Sequence, residues 1–189
     1  DGSDDNAETM ILTGQVTDEN GNPLVNAVAD VWHANTMGNY SYFDQSQSEY
    51  NLRRRIRTDE NGRYTAQSII PAGYGCPPEG STQALLNLLG RHGNRPAHIH
   101  FFISKSGFKH LTTQINLAGD EYTYDDFAFA TREELVVEAN RIDDPAQAEG
   151  YGLNKPFTKV EFNIQLVSTD KPELQNRHER KRALEGEAA

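Results

Sequence analysis

Apolar residues recur at alternate positions through much of the chain, the period of a strand with one face buried. Met10 to Val16 follows this pattern, as do Val25 to Trp32, Arg63 to Ala66, Ala97 to Ser104 and Leu111 to Leu117. Phe157 to Val167 carries it strongly, through Phe157, Val160, Phe162, Ile164 and Leu166. Two stretches read as helices. Ser81 to Leu89, closed by Gly90, predicts a buried side made of Leu85, Leu88 and Leu89. Glu133 to about Arg141 predicts a second, with Thr131 and Glu134 spaced as a capping box. Several strands, two or three short helices and long loops together predict an all-β fold, a β-sandwich.

The segment Thr17-Asp18-Glu19-Asn20-Gly21 recurs as Thr58-Asp59-Glu60-Asn61-Gly62. Asn-Gly adopts positive φ at little cost, so the repeat predicts a sandwich built from similar hairpins. Pro71 to Gly80 is too rich in Gly and Pro for regular structure and reads as a loop of restricted shape. Residues 1–9 read as a linker or the remnant of a preceding domain, because Asp1-Gly2-Ser3-Asp4-Asp5-Asn6 is polar and lacks an initiator methionine. Residues 10–170 form the expected sandwich, and residues 171–189 a charged C-terminal tail.

Composition narrows the function. The chain has 189 residues, 36 % of them apolar, enough for one domain with a core. A formal charge of -10 argues against nucleic acid as a partner. Arg53-Arg54-Arg55 reads as a solvated strand edge or turn, with an anion-binding stripe as the alternative. One cysteine, Cys76, excludes an intrachain disulfide framework and a thiolate cluster for a soft metal. No apolar stretch reaches the length of a membrane span and no signal peptide opens the chain, so the expected location is cytoplasmic and the protein is not an integral membrane protein.

The chemistry gathers around His98-Ile99-His100. On a strand, both imidazoles point to one face, and burying either among Ile and Phe without a partner is costly. Tyr74 lies in the rigid Gly/Pro loop, where it is either a ligand or a packing residue. A second phenol would come from Tyr40, Tyr42 or Tyr50, among which spacing does not choose. Two phenolates with two imidazoles suit a hard, highly charged ion, Fe(III) best of all. Two phenolates and one hydroxide neutralise that ion, leaving an exchangeable position for substrate. Arg95, three residues before His98, and Gln114 are the polar groups expected beside the metal, Arg95 to stabilise developing negative charge; a surface arginine is the alternative. His33 reads as structural, and His92 and His110 as loop residues. Neither a phosphate loop nor a nucleophile elbow is present.

The segments Asp30-Val31-Trp32-His33-Ala34-Asn35, Tyr40-Ser41-Tyr42-Phe43-Asp44, Pro71 to Pro77 and Gly90 to His100 closely resemble the intradiol ring-cleaving dioxygenases, the bacterial catechol-cleaving members in particular. The resemblance runs from about Asp1 to Val167. It implies Tyr40, rather than Tyr42, as the first phenolate ligand and Tyr74 as the second, the one that leaves iron when substrate binds. His98 and His100 match the imidazole ligands, and Arg95 and Gln114 the polar residues beside them. It further implies one non-haem Fe(III) per chain, catechol and dioxygen as substrates and cis,cis-muconate as product. Hydroxyquinol or a chlorinated catechol is the alternative substrate. For full-length relatives the resemblance implies an N-terminal helical domain that makes a homodimer with a lipid at its interface, a domain not expected within these residues. A non-enzymatic, transthyretin-like sandwich that binds a partner is the rival of a different class.

Overall fold

The computed structural model describes residues 7–169. The charged tail expected over 171–189 lies outside the described residues, and the expected linker is described only from residue 7. The strands are β1 (Thr9–Thr17), β2 (Val28–His33), β3 (Arg53–Arg57), β4 (Arg63–Ile69), β5 (Tyr74–Gly75), β6 (Asn94–Arg95), β7 (His98–Ser104), β8 (Leu111–Leu117), β9 (Val136–Val137), β10 (Ala139–Ile142), β11 (Phe157–Glu161) and β12 (Ile164–Gln165). Two helices join them, α1 (Ser81–Leu88) and α2 (Pro145–Gly150). The predicted all-β sandwich is the observed architecture.

In the first sheet, β1 is central. It pairs antiparallel with β4 on one side and parallel with β11 and then β12 on the other, with β10 outside β11. The second sheet runs β3-β2-β7-β8-β9. Alternation decides which side chains meet. Met10, Leu12 and Val16 of β1, with Tyr64, Val160 and Ile164, pack against Ala29, Val31, Ile99, Phe101, Ile103, Ile115 and Leu117 of the second sheet. Burial of these faces supplies most of the stabilisation, at roughly 25 cal/mol per Å² of apolar surface. Ile11 points the other way, to a smaller cluster with Phe157 and Ala148 of α2.

The two repeated turns differ from expectation. Each is an Asp-headed turn: Asp18 accepts the amides of Asn20 and Asn22, and Asp59 those of Asn61 and Arg63. Gly21 and Gly62 follow at φ 81° and 68°. Yet β1 pairs with β4 and β2 with β3, so each turn carries the chain from one sheet to the other and makes no hairpin. The turns also touch, through the Val16 amide donating to the Gly62 carbonyl at 2.8 Å.

Two helical expectations are corrected. Glu133–Leu135 makes only a single 3₁₀ turn, without a side-chain cap, before the chain extends into β9 and β10. Val136 and Val137 are β-branched, and pairing with Asn116 and Leu117 outweighs the helical pattern. The second helix comes later, where Asp144 caps the Ala146 amide and Pro145 occupies the first turn. In α1 the buried leucine is Leu86; Leu85, Leu88 and Leu89 are exposed. The arginine triplet is, as expected, an edge strand.

The predicted strand Phe157 to Val167 is broken at Phe162–Asn163, although β11 and β12 keep one register on β1. The Phe162 carbonyl turns to accept the buried Tyr64 hydroxyl at 2.6 Å, and the Asn163 side chain accepts the Gln15 amide at 2.8 Å. Gly14 permits this, because a Cβ there would overlap the Phe162 carbonyl. His33 sits between the sheets, bonded to the Ser68 hydroxyl and the Ala34 carbonyl, both at 2.7 Å. Among the described residues no helix is long and apolar enough to cross a membrane.

Two outcomes follow from these contacts. Y64F orphans the Phe162 carbonyl and should lower unfolding free energy by about 1–3 kcal/mol; G14A should cost more, and urea denaturation ranks the two. Burial lowers the His33 pKa to about 4 from 6.5. The unfolded chain therefore takes up a proton that the folded one refuses, so this residue's share of stability is intact above pH 6.5 and falls as pH drops toward 4. The loss should approach ~3 kcal/mol. Imidazole NMR should find His33 neutral at pH 5.5; a titration midpoint near 6.5 contradicts it.

Candidate metal centre

On β7, Ile99, Phe101 and Ile103 occupy the core face, so His98 and His100 point out of the sandwich. The site is thus built on the outer face of the second sheet and roofed by loops. Cross-strand register sets its neighbours: His98 faces Asn116, and His100 lies between Trp32 and Gln114. The indole stacks on the His100 ring at 4.8 Å and 10°.

The loop after β2 delivers Tyr40. Asn35 accepts the Met37 and Asn39 amides on its side-chain oxygen, bending the chain back over the sheet. Gly38, at φ 78°, lies so near the backbone of Gly73 and Tyr74 that a Cβ would collide with both. The two tyrosine-bearing loops can therefore touch, and the Tyr40 and Tyr74 rings meet edge to face at 5.4 Å. Tyr42 and Tyr50 are 76 % and 67 % exposed, whereas Tyr40 reaches both histidines. Tyr74 is held differently: it pairs directly with Arg95 in the short β5-β6 ribbon.

These elements bring three donor atoms to one point. Tyr40 Oη lies 3.2 Å from His98 Nε2 and 3.3 Å from His100 Nε2, and the two nitrogens are 3.1 Å apart. Atoms bound at about 2.1 Å to one metal sit roughly 2.9–3.4 Å from each other between octahedral and tetrahedral angles, so the triangle fits an ion. His98 Nδ1 donates to the Pro96 carbonyl at 2.7 Å, which leaves its Nε2 bare. Burial lowers the pKa of His98 to about 4, and burial with the neighbouring His98 lowers that of His100 to about 3. Both rings are thus neutral at neutral pH. Burial, then Tyr74, pushes the Tyr40 phenol above its usual range; a phenolate there requires a cation at the donor triangle. No group of three or more His, Cys, Asp or Glu among the described residues is placed to hold a metal, so a metal here must draw on phenol oxygen.

Arg95 is the hub beside them. Its Nη1 donates to Tyr74 Oη at 3.3 Å and to His98 Nε2 at 3.2 Å, and its Nη2 to Gln114 Oε1 at 3.0 Å. All six residues singled out in the sequence thus lie together, and Arg95 is buried, with its alternative as a surface arginine removed. Two neighbours were not anticipated. Trp32 could have been found from the period-two pattern of β2, which puts it on the face opposite His33. Asp126, buried against Arg95, lies in the irregular stretch after β8 and carries no periodic signal. His92, in its loop, is paired with Asp125 at 3.0 Å, outside this cluster.

Comparison with known proteins identifies relatives over most of the chain. A family profile described as dioxygenase matches residues 1–168. The catechol 1,2-dioxygenase of Acinetobacter guillouiae is 56 % identical over 168 residues, covering 88 % of this chain and 55 % of that protein. That of Acinetobacter baylyi is 58 % identical over 169 residues, covering 88 % and 54 %. The crystal structure of wild-type Acinetobacter radioresistens catechol 1,2 dioxygenase superposes with a TM-score of 0.90 at 54 % identity, covering 97 % of this chain and 60 % of that one. The chain thus spans a little over half the length of the curated relatives it matches. From its profile match, its relatives and its fold, the chain belongs to the intradiol dioxygenase family.

Proposed function

We propose that this protein binds one non-haem Fe(III) through Tyr40, Tyr74, His98 and His100 and cleaves catechol between its two hydroxylated carbons, consuming one dioxygen and yielding cis,cis-muconate. The observation that carries the reading is the triangle of Tyr40 Oη, His98 Nε2 and His100 Nε2, with sides of 3.1–3.3 Å. A hard oxygen donor beside two neutral imidazoles matches a ferric ion better than a soft or weakly charged one. When bound, the ion supplies Lewis acidity and a template for both oxygens of the diol.

The chain's own groups divide the remaining work. His98, locked by the Pro96 carbonyl, and His100, clamped by Trp32, hold fixed positions on a strand. Tyr40 is anchored over them by the Asn35 turn. Tyr74 stands on the two-residue β5, away from the main sheets, and is the ligand suited to let go. Its Oη would serve as the acceptor for one phenolic proton of the entering diol. The Arg95 guanidinium, already donating to Tyr74 Oη, then faces negative charge developing on the ring carbons, with Gln114 steadying its Nη2. Membership of the family and the similarity to catechol 1,2-dioxygenases favour catechol over hydroxyquinol or a chlorinated catechol as the substrate. A cytoplasmic location completes the reading.

Iron-loaded protein should be burgundy-brown from tyrosinate-to-iron charge transfer; a colourless sample holding a full equivalent of iron contradicts the ligand set. Chelation should remove colour and turnover together, and ferric or ferrous salt should restore both. Y74F should shift the visible band, leave the fold intact and lower kcat by about 10²-fold or more through loss of the proton acceptor. The product should be a ring-opened dicarboxylate absorbing in the ultraviolet. A yellow semialdehyde would mean cleavage outside the diol.

A further inference from the structure

Arg95 is useful only if its guanidinium is aimed, and the β6 backbone alone does not aim it. Arginine has a long, rotatable stem ending in a rigid planar fork. Here one edge of the fork is engaged away from the donor triangle. Nε donates to Asp126 Oδ1 at 3.1 Å and Nη2 to Asp126 Oδ2 at 3.2 Å, a two-point pair between ionised groups. With that edge fixed, Nη1 can point only toward Tyr74 and His98.

The carboxylate is itself held on every side. Asp126 is 4 % exposed. Its Oδ1 also accepts the Ala128 amide at 3.0 Å, and its Oδ2 the Ala130 amide at 3.3 Å. These bonds tie the carboxylate to the backbone of its own loop. The loop is in turn tied to the site's framework, the Phe127 amide donating to the Asn94 carbonyl at 3.2 Å. A buried pair with every donor and acceptor used has one geometry and little freedom to adopt another. Asparagine would keep the volume but offer one acceptor oxygen, turning an amide N–H toward a guanidinium N–H.

We infer that Asp126 is a positioning residue for the reaction, one that holds the Arg95 guanidinium by two hydrogen bonds so that its remaining N–H groups face the donor triangle. The inference rests on the reaction proposed above. Asp126 acts through Arg95 and touches no reacting atom.

The test is a double-mutant cycle on the iron-loaded protein, with D126N, R95Q and the pair. D126N should lower kcat for catechol by roughly 10- to 100-fold with KM changed by less than about threefold, as expected for an interaction that matters in the transition state. In the R95Q background the same change should cost less than about threefold more, since its target is gone. Equal losses in both backgrounds would assign Asp126 a structural role and overturn the inference. A second measurement needs no variant and no turnover: the Arg95 Nε–H, followed by arginine side-chain NMR, should exchange slowly with water. Exchange as fast as that of a solvent-exposed arginine would overturn the inference even if D126N failed to fold. Iron-loaded wild type that leaves catechol uncut would sink the proposed reaction, while the exchange rate would still decide how Arg95 is held.

Discussion

The whole arrangement depends on the two-residue period of β7. One strand gives Ile99, Phe101 and Ile103 to the sandwich core and His98 and His100 to the opposite side. A slip of one residue would bury two imidazoles among hydrocarbon and expose three large apolar side chains. Core packing therefore enforces the position of the histidines, at no separate expense in strain. The same lock extends across the sheet, because Trp32 and Gln114 flank His100 only in this register.

Loops finish what the sheet begins, and they do so with backbone contacts more than with long side chains. Asn35 shapes the Tyr40 loop, Gly38 lets it press against Gly73 and Tyr74, and the β5-β6 ribbon sets Tyr74 across from Arg95. Asp120 adds another tie by accepting the Ala97 amide at 2.9 Å. The division has a chemical logic. In the proposed reaction the groups that stay still, His98 and His100, belong to the middle strand of the second sheet, whereas the phenol proposed to move sits on a short ribbon outside it.

Much of this was legible in the chain. The alternation that predicted β1, β7 and β8 reflects burial on one face, a strong local signal. His-x-His within it puts both imidazoles on one face. Tyr40 was not legible from spacing, since Tyr42 and Tyr50 are equally near in sequence; what separates them is the Asn35 turn and a glycine contact made across the fold. Asp126 was invisible for the same reason, as its partner is supplied by tertiary packing. The helix expected over 133–141 failed because β-branched valines found an open sheet edge, and the hairpins failed because a turn sequence encodes a reversal and not which strand lies beyond it. Strand 157–167 broke where Gly14, far away in the chain, let a carbonyl rotate toward Tyr64.

Trp32 leaves one consequence for the site as a physical object. It is the only tryptophan in the chain, and its indole lies flat on the His100 ring. The molecule therefore carries its own optical gauge at the wall of the donor triangle. A coloured, paramagnetic ion seated beside that imidazole would darken ultraviolet emission from the indole, so occupancy and loss could be followed in real time without a dye, a label or a substrate.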